Sequence, residues 1–190
     1  MSTPQNSNEL IVATTLDGYY EGAKPWDLEF HQTVWGDELE AFTVEQLDMA
    51  NMIVYGANTY HGMAEYWQNA SNDPKAEQLN TMPKVVCSTT IDTPEWENTT
   101  IVRDAVSELR TVKEQGNGNM FVFGSGELSQ SLMKADLFDE YRLCLAPVFL
   151  GSGKRLFAEG VPYQKLVLRE ERRLDTGGII LMYVPTSSLD

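Results

Sequence analysis

Apolar runs alternating with stretches of helical spacing constrain this chain of 190 residues more than any other feature of its sequence. LIVATT (10–15), MIVYG (52–56), KVVCST (84–89), TTIVR (99–103), MFVFG (120–124) and EYRLCLAPVFLG (140–151) read as buried strands. Between the first two, Phe30, Val34, Trp35, Leu39, Phe42 and Leu47 recur near helical spacing, with a break expected at Gly36. Asn58 is placed to cap a helix running through Trp67. Asp104 is placed to cap another, which turns Val106, Leu109 and Val112 inward and ends near Gly116. SGELSQSLMKAD, from Ser125, reads as a further helix. The last two strands, near 164–174 and 178–184, flank Asp175-Thr176-Gly177-Gly178 and form a hairpin. Such alternation builds a mostly parallel sheet with helices on both faces, here with an antiparallel hairpin at one edge. The expected class is therefore α/β, with a polar tail over 1–9, one domain over 10–190 and a surface excursion over 65–78.

Composition narrows the partners. Hydrophobic residues make up 42% of the chain, enough for a packed core. No run approaches the roughly 20 apolar residues of a membrane-spanning helix, and MSTPQNSNEL has no leader-like core, so a cytoplasmic protein without membrane contact is expected. Asp and Glu number 28 against 14 Lys and Arg, a net charge of -14 that repels nucleic acid and leaves an anionic cofactor dependent on local donors. The acid surplus also serves solubility. Cys87 and Cys144 sit in apolar runs and read as reduced core residues. With only His31 and His61 besides, no metal site is expected.

Ligands of open α/β sheets bind beyond the carboxyl ends of the strands. Two strand-to-helix turns lie there, Gly124-Ser125-Gly126 and Gly56-Ala57-Asn58-Thr59. Both can point backbone N–H groups at a phosphate, and together they can grip a dinucleotide; either can also be an ordinary tight turn.

SGELSQSLMKADLFDEYRLCLAPVFLGSGKRLF (125–157) resembles the dihydrofolate reductase-like family that includes the reductase domain of riboflavin biosynthesis. The shared elements are the turn at Gly124 to Gly126, Asp139-Glu140, Pro147 to Gly153, and Leu156-Phe157. ATTLDGYYEG (13–22), YGANTYHGMAEYW (55–67) and KVVCSTTID (84–92) match further segments in order. The resemblance implies hydride transfer from NADPH to a small heterocyclic, pterin- or pyrimidine-like substrate. It also implies a homodimer. By position, Gly56, Ala57, Asn58 and Thr59 would face the cofactor phosphates, and Ser88, Thr89 and Thr90 the adenosine end. Gly124, Ser125, Gly126, Glu127 and Leu128 would face the pyrophosphate and nicotinamide, with Ala13 in the same set.

Two departures matter. The family commonly carries arginine where this chain has Ala57, and again within the stretch occupied by Ser88-Thr89-Thr90. Arginine is the natural partner of a 2′-phosphate. Arg103 can replace it or pair with a neighbouring acid. NADH is the alternative cofactor, because a ribose diol needs only hydroxyl or carboxylate partners.

Reduction also needs a proton donor. Asp17, after the first strand, is the first candidate, although Asp-Gly is also a common turn pair whose carboxylate bonds local N–H groups. KPWDLEF (24–30) resembles the Pro-Trp stretch of true dihydrofolate reductases, but the position of their substrate-gripping carboxylate falls near His31. His31 is the second candidate for acid–base work. Trp26, Asp27 and Phe30 are candidates for the substrate. A non-catalytic member of the same fold with weak cofactor affinity, and a flavin binder, are the competing expectations. The His-x-Glu and Pro-Cys-x-x-Cys pattern of a zinc deaminase does not occur in these residues.

Overall fold

The computed structural model describes residues 6–188 apart from 71 and 117. Strand β1 spans Asn8–Thr15, and the short β2 spans Tyr19–Glu21. A 3-10 turn over Glu29–Thr33 precedes helix α1, Asp37–Met49. The helical spacing read across 27–50 is thus divided at Gly36, as its flexibility suggests. β3 is Met52–Gly56, α2 Ala57–Asn69, α3 Pro74–Thr81, β4 Lys84–Cys87 and β5 Thr99–Val102. There follow α4 (Ala105–Glu114), β6 (Met120–Phe123), α5 (Gly126–Lys134) and β7 (Glu140–Ala146). The two-residue β8 is Lys154–Arg155, and the chain closes on β9 (Leu166–Arg173) and β10 (Ile179–Pro185).

Eight strands form one sheet in the order β5-β4-β3-β6-β1-β7-β10-β9. Every pairing from β5 to β7 is parallel, and those of β10 with β7 and β9 are antiparallel. The parallel sheet with an antiparallel edge hairpin is therefore the one expected. β2 and β8 pair separately, as a small antiparallel ribbon.

Side-chain alternation assigns the faces. Leu10, Val12, Val54, Val122 and Leu143 point to one side and pack with Leu109 of α4 and Leu132 of α5. Their neighbours point to the other side, where the core is divided. Ile53, Tyr55 and Val86 pack with Tyr60 and Ala64 of α2 and Leu79 of α3. Cys144, Ile180 and Met182 pack with Leu39 and Phe42 of α1. A gap remains between these two cores.

Several local expectations are corrected. β1 begins at Asn8, not Leu10: Asp139 accepts from the Asn8 N–H at 2.8 Å, and the Asn8 amide donates to Leu137 O at 2.9 Å. Part of the polar run 1–9 is thus buried structure, while residues 1–5 lie outside the described residues. Gly56, not Asn58, is the residue before α2, and Asn58 lies inside its first turn. The stretch 65–78 holds the end of α2 and most of α3, which Asp73 caps by accepting from Lys75 N–H at 2.9 Å. β4 stops at Cys87 because Ser88 Oγ turns the chain, accepting from Thr90 and Ile91 N–H. β7 stops at Ala146, since Pro147 has no N–H to continue the ladder.

Candidate functional site

A cleft of about 940 Å³ occupies the gap, over the carboxyl ends of the parallel strands. Its size lies within the range of ligand pockets. The sequence brings its floor together in two turns. At β6–α5, Ser125 takes the left-handed conformation, φ 49° and ψ 50°, which costs a residue with a β-carbon about 1–2 kcal/mol. Its hydroxyl offsets that cost. Ser125 Oγ accepts from Gly56 N–H at 3.1 Å and donates to Phe123 O at 3.4 Å, tying the β6–α5 turn to the β3–α2 turn. The first-turn N–H groups of both helices have no intrahelical acceptor, so two positive helix ends lie side by side.

One rim of the cleft is made by Ser88, Thr89, Thr90 and Arg103. Arg103 pairs with a neighbouring acid: Nη2 donates to Asp92 Oδ1 and Nη1 to Ser88 O, both at 2.9 Å. Its side chain remains half exposed.

Two aromatic rings close over glycines. Tyr20 of β2 lies on Gly126 at the start of α5, and Trp26 lies on Gly62 of α2; a β-carbon at either glycine would collide with the ring. Trp26 is held there with a φ of 60°, its N–H donating to Glu21 Oε1 at 2.7 Å. The β2–β8 ribbon carries Lys154 to the same rim, with its ammonium 3.0 Å from Glu21 and 3.6 Å from Glu127.

The other half of the cleft faces β1, β7 and α1. Arg142 of β7 reaches it from a buried network. Nη2 lies 2.6 Å from Glu9 Oε2, Nε donates to Glu140 Oε1 at 2.8 Å, and Nη1 donates to Gln46 Oε1. Burial pushes the Glu9 carboxyl up to about 7, against the opposing pull of Arg142 and Ser7. His31 lines this half, its ring edge-on to Phe30 at 4.6 Å, and none of the described residues hydrogen-bonds its imidazole. Burial lowers its pKa below the usual 6.5.

The cleft thus gathers Ala13, Trp26, His31, Gly56, Ala57, Asn58, Thr59, Ser88, Thr89, Thr90, Arg103 and the run Gly124, Ser125, Gly126, Glu127 and Leu128. Three candidates lie outside its lining. Asp17 accepts from Thr15 Oγ1 at 2.5 Å, Leu150 N–H at 3.1 Å and Gly151 N–H at 2.8 Å, so its carboxylate pins the loop after β7. The Thr15 hydroxyl and those backbone N–H groups hold its pKa at about 2, which makes it a poor proton donor near neutrality. Asp27 packs its side chain on Gly22, and Phe30 is buried in the core under α1. Sequence reasoning missed Tyr20, Glu21, Arg142 and Lys154. The ribbon that places Lys154 has only two residues in β8, too few for periodicity to register.

A parallel sheet that ends in an antiparallel hairpin, with a two-turn cleft over its strand ends, defines a dihydrofolate reductase-like fold. The chain belongs to the family of the RibD C-terminal domain, which it matches over residues 10–180. It is similar to a putative riboflavin biosynthesis protein from Shewanella sp. PV-4, with 22% identity, a TM-score of 0.78 and coverage of 95% of this chain and 99% of that one. Dihydrofolate reductase from Enterococcus faecalis, complexed with NADP(H), shares the fold at 15% identity and a TM-score of 0.66 over 96% and 98% of the two chains. A diaminohydroxyphosphoribosylaminopyrimidine deaminase/5-amino-6-(5-phosphoribosylamino)uracil reductase from Thermotoga maritima aligns at 16% identity and a TM-score of 0.65, over 95% of this chain and 57% of that one.

Proposed function

We propose that this protein is a nicotinamide-dependent reductase of a small planar heterocycle. The observation that carries this reading is the pair of helix N-termini joined by Ser125 Oγ and Gly56 N–H on the cleft floor. Such a pair suits a pyrophosphate, and the Enterococcus neighbour that shares the fold holds NADP(H). The amides opening α2 and α5 would hold the pyrophosphate, with Ser88 to Thr90 beside the adenosine. Arg103 is the rim cation for a 2′-phosphate, which favours NADPH, although its bond to Asp92 keeps NADH in competition. The bound cofactor supplies a hydride.

The protein's own share is orientation, water exclusion and the proton. Trp26 and Tyr20 cover the cleft from the β2 side, and the apolar wall under α1 keeps water from the reacting face. His31 is the proton-handling group of this reading, since its imidazole has no competing bond among the described residues. Its lowered pKa gives the sign of the pH effect: turnover that uses the imidazolium falls as pH rises through a value below 6.5. His31→Gln should lower kcat at least tenfold and remove that limb of the pH profile. An unchanged profile would assign the proton to another group.

The direct test is thermal unfolding with millimolar NADPH and, separately, NADH. A ligand at a hundredfold excess over Kd stabilises the native state by about 2.7 kcal/mol, so binding registers as a raised Tm. No shift with either cofactor would sink the reductase reading and favour a non-catalytic member of the family. The observations behind that second reading are Ala57 and Thr89, where family members commonly carry arginine, and an Arg103 already occupied by Asp92.

A further inference from the structure

We propose that the substrate is an uncharged planar molecule without a phosphate group; the inference rests on the reductase reading and sets its substrate class. The half of the cleft away from the helix N-termini is apolar, walled by Ile11, Ala13, Leu28, Val34, Phe42 and Cys144. Its polar groups are few. His31 offers its imidazole, and the Thr43 hydroxyl, which donates to Leu39 O at 2.8 Å, keeps acceptor capacity. One or two hydrogen bonds of this kind suit the edge of a neutral heterocycle.

The cations decide against an anion. Arg142, which reaches this half, and Lys154, on the β2–β8 rim, line the cleft, and each already faces carboxylate. Arg142, only 4% exposed, is set between Glu9 and Glu140. Lys154 lies between Glu21 and Glu127. A phosphate would have to displace one of these acids or lie beside it unpaired. α1, whose Leu39, Phe42 and Thr43 wall this half, adds no anion-binding end, because its first turn carries Asp37, Glu38 and Glu40. The net charge of -14 works in the same direction. The Thermotoga neighbour is named for a phosphoribosylamino substrate, so the inference separates this chain from that protein in specificity while the fold is shared.

The test is isothermal titration of the full-length protein, with saturating NADPH, by 5-amino-6-(5-phosphoribosylamino)uracil, by its dephosphorylated form and by lumazine. The expected result is that the dephosphorylated compound binds at least tenfold more tightly than the phosphorylated one, with lumazine binding as well. Equal or tighter binding of the phosphorylated compound would overturn the inference. So would failure of both uncharged compounds to bind at millimolar concentration. A Tm shift with NADPH alone is recorded in parallel: if it is present while the phosphorylated compound is preferred, the substrate class is wrong and the reductase reading stands. If it is absent, the reading beneath both is wrong.

Discussion

At the scale of single residues, the two glycines under aromatic rings give the sharpest handle on the site. Gly62 lies within α2, where alanine favours the helix by about 1 kcal/mol, yet its β-carbon would occupy the space of the Trp26 indole. Trp26 is half exposed and on a loop, so the ring can swing away. Gly62→Ala should therefore leave Tm unchanged or slightly raised while weakening cofactor or substrate binding severalfold. Titration calorimetry beside thermal unfolding checks the split; a fall in both would mean that the helix, not the ring, was damaged. Glu9 supplies the pH prediction. Its carboxyl keeps a proton up to about 7, whereas the unfolded chain loses it near 4.5. Between those values the unfolded state binds fewer protons, so stability falls as pH rises, by no more than about 3 kcal/mol. Glu9→Gln should remove this slope, read as the difference from the parent protein in denaturant unfolding at pH 5 and 7; identical slopes would place the titration elsewhere. Sequence alone placed the turn residues well, because Gly-x-Gly after an apolar run has a local cause. It could not separate Asp17 from a catalytic acid, since that distinction lies in the N–H groups of Leu150 and Gly151, 133 and 134 residues away.

At the scale of elements, capping explains what was legible. Asp104 accepts from Ser107 N–H at 3.1 Å, as its position before Val106 and Leu109 suggested. Asp104→Ala should cost about 1 kcal/mol in equilibrium unfolding, because an N-cap satisfies an otherwise unpaired donor. A change within a few tenths of a kcal/mol would show that water substitutes for the carboxylate. Asp73-Pro74 carries the same start signal, but α3 has only eight residues, and its polar sequence hid the amphipathic pattern. Length also misled at the other extreme. The run 140–151 has strand-like composition throughout, yet Pro147 ends the ladder after Ala146.

At the scale of the whole molecule, charge is the dominant field. A net -14 on 190 residues produces self-repulsion that salt screens, so Tm should rise between about 10 and 200 mM NaCl. A flat response would mean that local ion pairs already neutralise the field. The homodimer implied by the family resemblance is a separate proposal, checked by light scattering as a mass of twice 21.4 kDa.

The place of β1 in the sheet sets an order in time. The first strand of the chain lies between β6 and β7 and pairs Asn8 with Met120 and Thr15 with Ala146. Neither partner exists until more than half of the polypeptide has been made. On a ribosome adding roughly 5–20 residues per second, β1 waits several seconds without either neighbour. The Ser125–Gly56 bond joins the cleft floor only after that wait, so any ligand of the cleft would meet its floor in the last stage of folding and not in the first. Closing such distant pairings is slow, and refolding in milliseconds to seconds is the corresponding expectation for stopped-flow fluorescence.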